Sequence, residues 1–119
     1  ESTFQQVNSG NENMDGCSSL YADKVANEPQ FEGKVSVIST NVTRMDTLLS
    51  NESLNGAIDV VKVDVEGYTW EVLNGFGERL KDVKLFHLET EKEGTHSNHK
   101  NSDEVAEFMR NKGLDLGWK

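Results

Sequence analysis

The chain is 119 residues long and carries 12 Lys and Arg against 21 Asp and Glu, a net charge of −9 with neutral histidines. That length allows one small domain, and a hydrophobic share of 34% allows it only a modest core. An acidic balance with no basic cluster excludes a grip on nucleic acid by phosphate neutralisation, and the single cysteine, Cys17, excludes an intrachain disulfide or a thiolate zinc cluster.

Residues 1–34 are polar and punctuated, with Asn8-Ser-Gly-Asn-Glu-Asn, Asp15-Gly16 and the single proline, Pro29, separating short apolar patches at Phe4 and Leu20-Tyr21. This reads as a short strand followed by loop, in which Cys17, Ser18 and Ser19 form a turn rather than a nucleophile, since no histidine stands beside them. Glu1 in place of Met points to a processed, excised or incomplete chain. The start has no signal-peptide pattern and no stretch approaches the ~20 apolar residues of a membrane span, so the expected location is cytoplasmic, without membrane contact. Val35-Ser-Val-Ile-Ser reads as a strand, and Asp46-Thr-Leu-Leu opens a brief helix stopped near Asn55-Gly56. The triplets Asn41-Val42-Thr43 and Asn51-Glu52-Ser53 fit glycosylation acceptors but are read as structural.

Ile58-Asp-Val-Val-Lys-Val-Asp-Val is too short for an ordinary helix and too apolar for a half-exposed strand, which predicts a central strand buried on both faces of a parallel sheet. Glu66-Gly67 ends it. Tyr68, Val72, Gly75 and Phe76 fall at helical spacing, with Gly75 or Gly77 as the stop. Val83-Lys-Leu-Phe-His-Leu-Glu-Thr is a second strand. After a polar loop, Ser102 is the expected N-cap of a helix with Asp103 and Glu104 in its first turn, Val105, Phe108 and Met109 as its apolar stripe and Gly113 as its stop. Leu114-Asp-Leu-Gly-Trp opens a last strand. The order implies an α/β fold of βαβ units, a mostly parallel sheet with flanking helices.

Side chains alternate along a strand, so Lys62, Asp64 and Glu66 share one face at the carboxyl end, where open parallel sheets bind ligands. His87, Glu89 and Glu91 share a parity on the next strand, and pairing of the two strands brings Glu89 close to Asp64 or Glu66. Gathered carboxylates bind a divalent cation, accept hydrogen bonds from a ligand or act as a general base. The same residues also suit a plainer role, with Asp64 or Glu66 capping the following helix and Lys62 paired with Glu89. His96 and His99, with His87 upstream, read as solvated histidines rather than a zinc site. Tyr68, Trp70 and Phe76 pack the helix against the sheet.

The stretch from Ile58 to Gly75, preceded by Thr43-Arg-Met-Asp-Thr-Leu-Leu and followed by Leu85-Phe-His-Leu-Glu, resembles the FkbM family of S-adenosylmethionine-dependent methyltransferases. Asp46, Leu48 and Leu49 match its "LD-x-LL" element. Asp59, Lys62, Asp64, Glu66, Gly67, Leu73 and Gly75 match "iDllKiDvEGaE-x-x-vL-x-Ga", and Glu89 matches a strand closing in "lE". Met45, Thr69, Trp70 and Phe76 depart from the pattern. The resemblance covers residues 43–116, and the polar segment before them more loosely. It implies a partial Rossmann-like methyltransferase fold over residues 1–119 as a single truncated domain, with 1–42 a polar strand and loop lead-in and 43–119 the family-like core. The first strands are expected to be missing, because no glycine-rich turn follows a strand in residues 1–42.

By this resemblance the complete protein transfers a methyl group from S-adenosylmethionine to an oxygen of a small molecule or sugar, and this chain alone is inactive. Asp64 lies beside cofactor and acceptor, Gly67 contributes to the cofactor site, and Asp64, Glu66 and Glu89 form the catalytic set. A metal-assisted version has Asp64 and Glu89 holding Mg²⁺ against the acceptor. Two other readings stay open: a noncatalytic α/β module binding a partner through an open sheet edge, and a carboxylate-metal hydrolase using Mg²⁺ or Mn²⁺. A nuclease version lacks a lysine two residues beyond Glu89, where Glu91 stands.

Overall fold

The computed structural model describes residues 2–7, 35–91 and 100–117, which form two compact units. The loop from Asn8 to Pro29, with Cys17, Ser18 and Ser19, lies outside the described residues, as do His96, His99 and Trp118.

The first unit comprises residues 1–42 and 65–68. Its strands β1 (Ser2–Val7) and β2 (Val35–Thr40) pair antiparallel, with Ser2 opposite Thr40 and Val7 opposite Val35. β1 stands at the apolar patch around Phe4 and β2 at the β-branched run from Val35, but they form a separate two-stranded sheet rather than part of a parallel one. In the segment 65–68, the Tyr68 N–H donates to the Val65 carbonyl at 3.3 Å. The two residues between have φ of +45 (Glu66) and +89 (Gly67), the φ signature of a type I′ turn.

The second unit comprises residues 43–64 and 69–119. In chain order it holds α1 (Met45–Asn51), β3 (Ile58–Val63), α2 (Thr69–Phe76), a 3-10 helix (Gly77–Asp82), β4 (Val83–Leu88) and α3 (Ser102–Asn111). β3 and β4 pair in parallel, with Val60 opposite Leu85 and Lys62 opposite His87, so a βαβ unit is present as the pattern required. Its core is Leu73 and Phe76 of α2, Leu80 of the 3-10 helix, Val83, and Val105 and Met109 of α3, joined by half-buried Val61 and Phe86 from the strands. Phe76 meets Phe86 edge-on at 5.5 Å and fastens α2 to the sheet. Trp70 instead lies against Phe108 of α3 at 4.8 Å, beneath the Lys100 ammonium.

The expectation of burial on both faces is not met. Val61 and Val63 enter the core, whereas Val60 and Leu85 are 59% and 56% exposed. The apolar run is covered only on the side against which the helices pack.

α1 and α3 end alike. The Leu114 N–H donates to Met109 O and the Gly113 N–H to Arg110 O, with φ of +87 at Gly113; Leu54 and Ser53 donate to Leu49 and Ser50 in the same pattern, with φ of +56 at Ser53. This is the Schellman motif, which needs a left-handed residue just past the helix. The N-cap of α3 is Asn101, not Ser102. The Asn101 side chain accepts from the Asp103 and Glu104 N–H groups while the Glu104 carboxylate accepts from the Asn101 N–H. The Ser102 hydroxyl is taken by the Glu91 carbonyl at 3.1 Å. Residues 114–117 form no strand.

Candidate functional site

Asp64 follows the last residue of β3 and Glu89 the last of β4, and parallel pairing turns that sequence symmetry into neighbourhood. The Glu89 N–H donates to the Val63 carbonyl at 2.9 Å, continuing the ladder by one rung. The Glu89 carbonyl accepts from the Thr69 hydroxyl at 2.7 Å, and Thr69 is buried at the start of α2. The β4 tip is therefore held on both sides of its peptide. The result is a pair of exposed carboxylates offering oxygens within 4.8 Å of each other.

Lys62 completes the face. Its ammonium lies 2.9 Å from Asp64 Oδ2, with the two side chains 63% and 49% exposed. The partner is thus Asp64, two positions along the same strand face, with Glu89, the partner in the plainer reading, adding to the negative charge around the ammonium. Side chains at i and i+2 point the same way, and the distance between them suits a long lysine. The Asp64 carboxyl is held below the usual carboxylate range by a hydrogen bond shared with Glu89, then by the Lys62 ammonium, with His87 adding a smaller push. The Lys62 amine is raised, chiefly by Asp64 and further by Glu89.

Glu66 does not continue the alternation. The strand has ended and the type I′ turn has begun, so Glu66 takes a left-handed conformation costing ~1–2 kcal/mol in a residue other than glycine. Gly67 takes its own positive φ without that penalty. Glu91 serves through its carbonyl, which accepts from the Ser102 N–H at 3.2 Å. Sequence reasoning missed Thr69, which it met only as a departure from a motif, and nothing in its spacing connects it to Glu89.

Asp46, Gly75 and Gly77 form a structural clasp in the same unit. Arg44 donates to both Asp46 carboxylate oxygens, at 3.1 and 2.7 Å, and to the Asn74 carbonyl at 3.1 Å, tying the start of α1 to the end of α2. A Cβ at Gly75 would stand 3.6 Å from Met45 N, and one at Gly77 only 2.6 Å from Asp46 Oδ2.

Among the described residues, no helix is long and apolar enough to cross a membrane. The family model described as the methyltransferase FkbM domain matches residues 1–116, a span that includes both units. No curated protein and no solved structure matches the chain.

Proposed function

This chain belongs to the FkbM methyltransferase family, and from that membership we propose transfer of a methyl group from S-adenosylmethionine to a hydroxyl oxygen of a small molecule or sugar, served by the carboxylates that end β3 and β4. The observation that carries the reading is the parallel register with Lys62 opposite His87, which sets Asp64 and Glu89 side by side at the carboxyl ends of the strands.

The cofactor's positive charges suit two exposed carboxylates on a chain of net charge −9. When bound, it supplies an electrophilic methyl group on a sulfonium sulfur. Asp64 accepts a hydrogen bond from the acceptor hydroxyl, orients its lone pair toward the methyl carbon, and takes the proton as the new carbon–oxygen bond forms and the carbon–sulfur bond breaks. A carboxyl held below its usual range stays ionised at neutral pH and ready to accept. Glu89 stands beside Asp64, its own backbone fixed by the bond from its N–H to the Val63 carbonyl. Mg²⁺, which is commonly held by one or two carboxylates with water completing its shell, would have to displace the Lys62 ammonium from Asp64 Oδ2.

The test is Asp64→Asn in the protein that carries this domain, assayed with methyl-labelled S-adenosylmethionine and a panel of hydroxylated small molecules and sugars. Transfer falls ~10²-fold, as loss of a positioned acid–base group requires, and the melting temperature stays near that of the parent because exposed ion pairs contribute little stability. Undiminished turnover in Asp64→Asn overturns the role of Asp64.

A further inference from the structure

Three features compete for attention outside the carboxylate pair: the exposed Val60 and Leu85, the Trp70–Phe108–Lys100 cluster, and Lys62. Nothing in the structure shows what covers the first. The second is accounted for by packing and by the Lys100–Glu104 ion pair of 2.8 Å. Lys62 is different, because its contact makes little sense as a stabilising device.

An ion pair with side chains 63% and 49% exposed contributes little to stability and ties down a flexible lysine. Lys84 and Asp59 form another such pair on the same two strands, 66% and 79% exposed, away from the strand tips. What distinguishes Lys62 is its target, the carboxylate at the tip of β3. Asp64 has left the strand ladder, so no regular pairing limits its side chain, and a carboxylate that must meet an acceptor hydroxyl needs a defined plane. Lys62 sits inside β3, opposite His87, on a backbone fixed by parallel pairing. Its ammonium therefore reaches Asp64 Oδ2 from a rigid base.

We propose that Lys62 is a positioning residue for the transfer reaction, its ammonium fixing Oδ2 of Asp64 and thereby the direction in which the other oxygen meets the acceptor hydroxyl. This rests on the role of Asp64 proposed above. Among the described residues of this unit, the charged and titratable groups around Asp64 are Lys62 on its own strand and His87 and Glu89 at β4 and its tip, with Glu66 two positions on along the chain. Of these, Lys62 is the permanent cation at neutral pH, and its ammonium lies 2.9 Å from Asp64 Oδ2.

The test compares Lys62→Met and Lys62→Arg with the parent and with Asp64→Asn. In Lys62→Met, kcat falls about tenfold or more, as loosened orientation of a reacting group entails, while KM for S-adenosylmethionine changes less than about twofold, as for a group outside substrate binding. Lys62→Arg, which keeps a cation within reach of Oδ2, restores most of kcat. A second readout needs no turnover: the side-chain carboxyl carbon resonance of Asp64 in this chain at pH 7 moves in Lys62→Met and returns toward the parent position in Lys62→Arg. An unchanged kcat in Lys62→Met, an arginine variant no better than methionine, or an unmoved resonance overturns the proposal. If Asp64→Asn keeps full activity, the proposed function of the carboxylate fails and Lys62 falls with it; if Asp64→Asn is inactive while Lys62→Met is not, only the inference about Lys62 fails.

Discussion

Gly77 shows how little freedom a single position holds when two constraints meet there. Its φ of +52 penalises any L side chain, and a Cβ would come within 2.6 Å of the Asp46 carboxylate that Arg44 grips. Gly77→Ala therefore costs more than the ~1–2 kcal/mol of a left-handed residue alone, measured by urea denaturation. Asp46 carries a pH signature. Its carboxyl is held below the usual aspartate range by its hydrogen bond to Arg44, helped by the Thr47 N–H. A depressed carboxylate adds stability that is present above its unfolded value and lost as pH falls through its folded one. Asp46→Asn thus lowers the melting temperature at pH 7, and the difference from the parent shrinks toward zero on acidification below that range. Little of this clasp was legible in the sequence beyond the matches of Asp46 and Gly75 to motifs, because the bond that closes it joins Arg44 to Asn74, 30 positions away.

Elements were legible to the extent that local chemistry decides them. The apolar stripe of α3 and its stop at Gly113 were plain from spacing, and so were both strands of the parallel pair. Caps were not, since Asn101 and Ser102 are both good N-cap residues and only the reciprocal Glu104 contact selects Asn101. Nor was Ser53 recognised as the counterpart of Gly113. It occupies the same position of the same helix-ending motif at φ +56, where serine is strained and glycine is not. Ser53→Gly is expected to raise stability by about 0.5–1 kcal/mol, read from the denaturant midpoint. A destabilised glycine variant would mean that the Ser53 side chain contributes more than its backbone strain costs.

In the whole molecule, the candidate site was legible because two strands of known parity, once parallel, leave Asp64 and Glu89 no choice but to be neighbours. The pairing within the site was less so. One reading of the sequence took Lys62 across the ladder to Glu89, and the exposed strand face also lets the lysine fold along its own strand to Asp64. Burial was misjudged for a related reason. An apolar run reads as two-sided cover, whereas here Val63 is 4% exposed and Val60 is 59%. The two valines should respond differently. Val63→Ala costs about 1–3 kcal/mol, as a cavity in a packed core does, and Val60→Ala stays within about 0.5 kcal/mol. Equal losses would show that the Val60 face is covered in solution, and sedimentation at rising concentration would then reveal the association that an uncovered sheet invites.

The register of β3 on β4 also orders events in time. Ile58 pairs with Val83, and every rung of the ladder joins residues about 25 positions apart. Such contacts form only after the intervening chain has closed on itself, and parallel pairing of this kind is slower than the winding of α2 within that loop. The two carboxylates are therefore strangers in any partly folded chain, and the acidic pair comes into being with the last rung of the sheet.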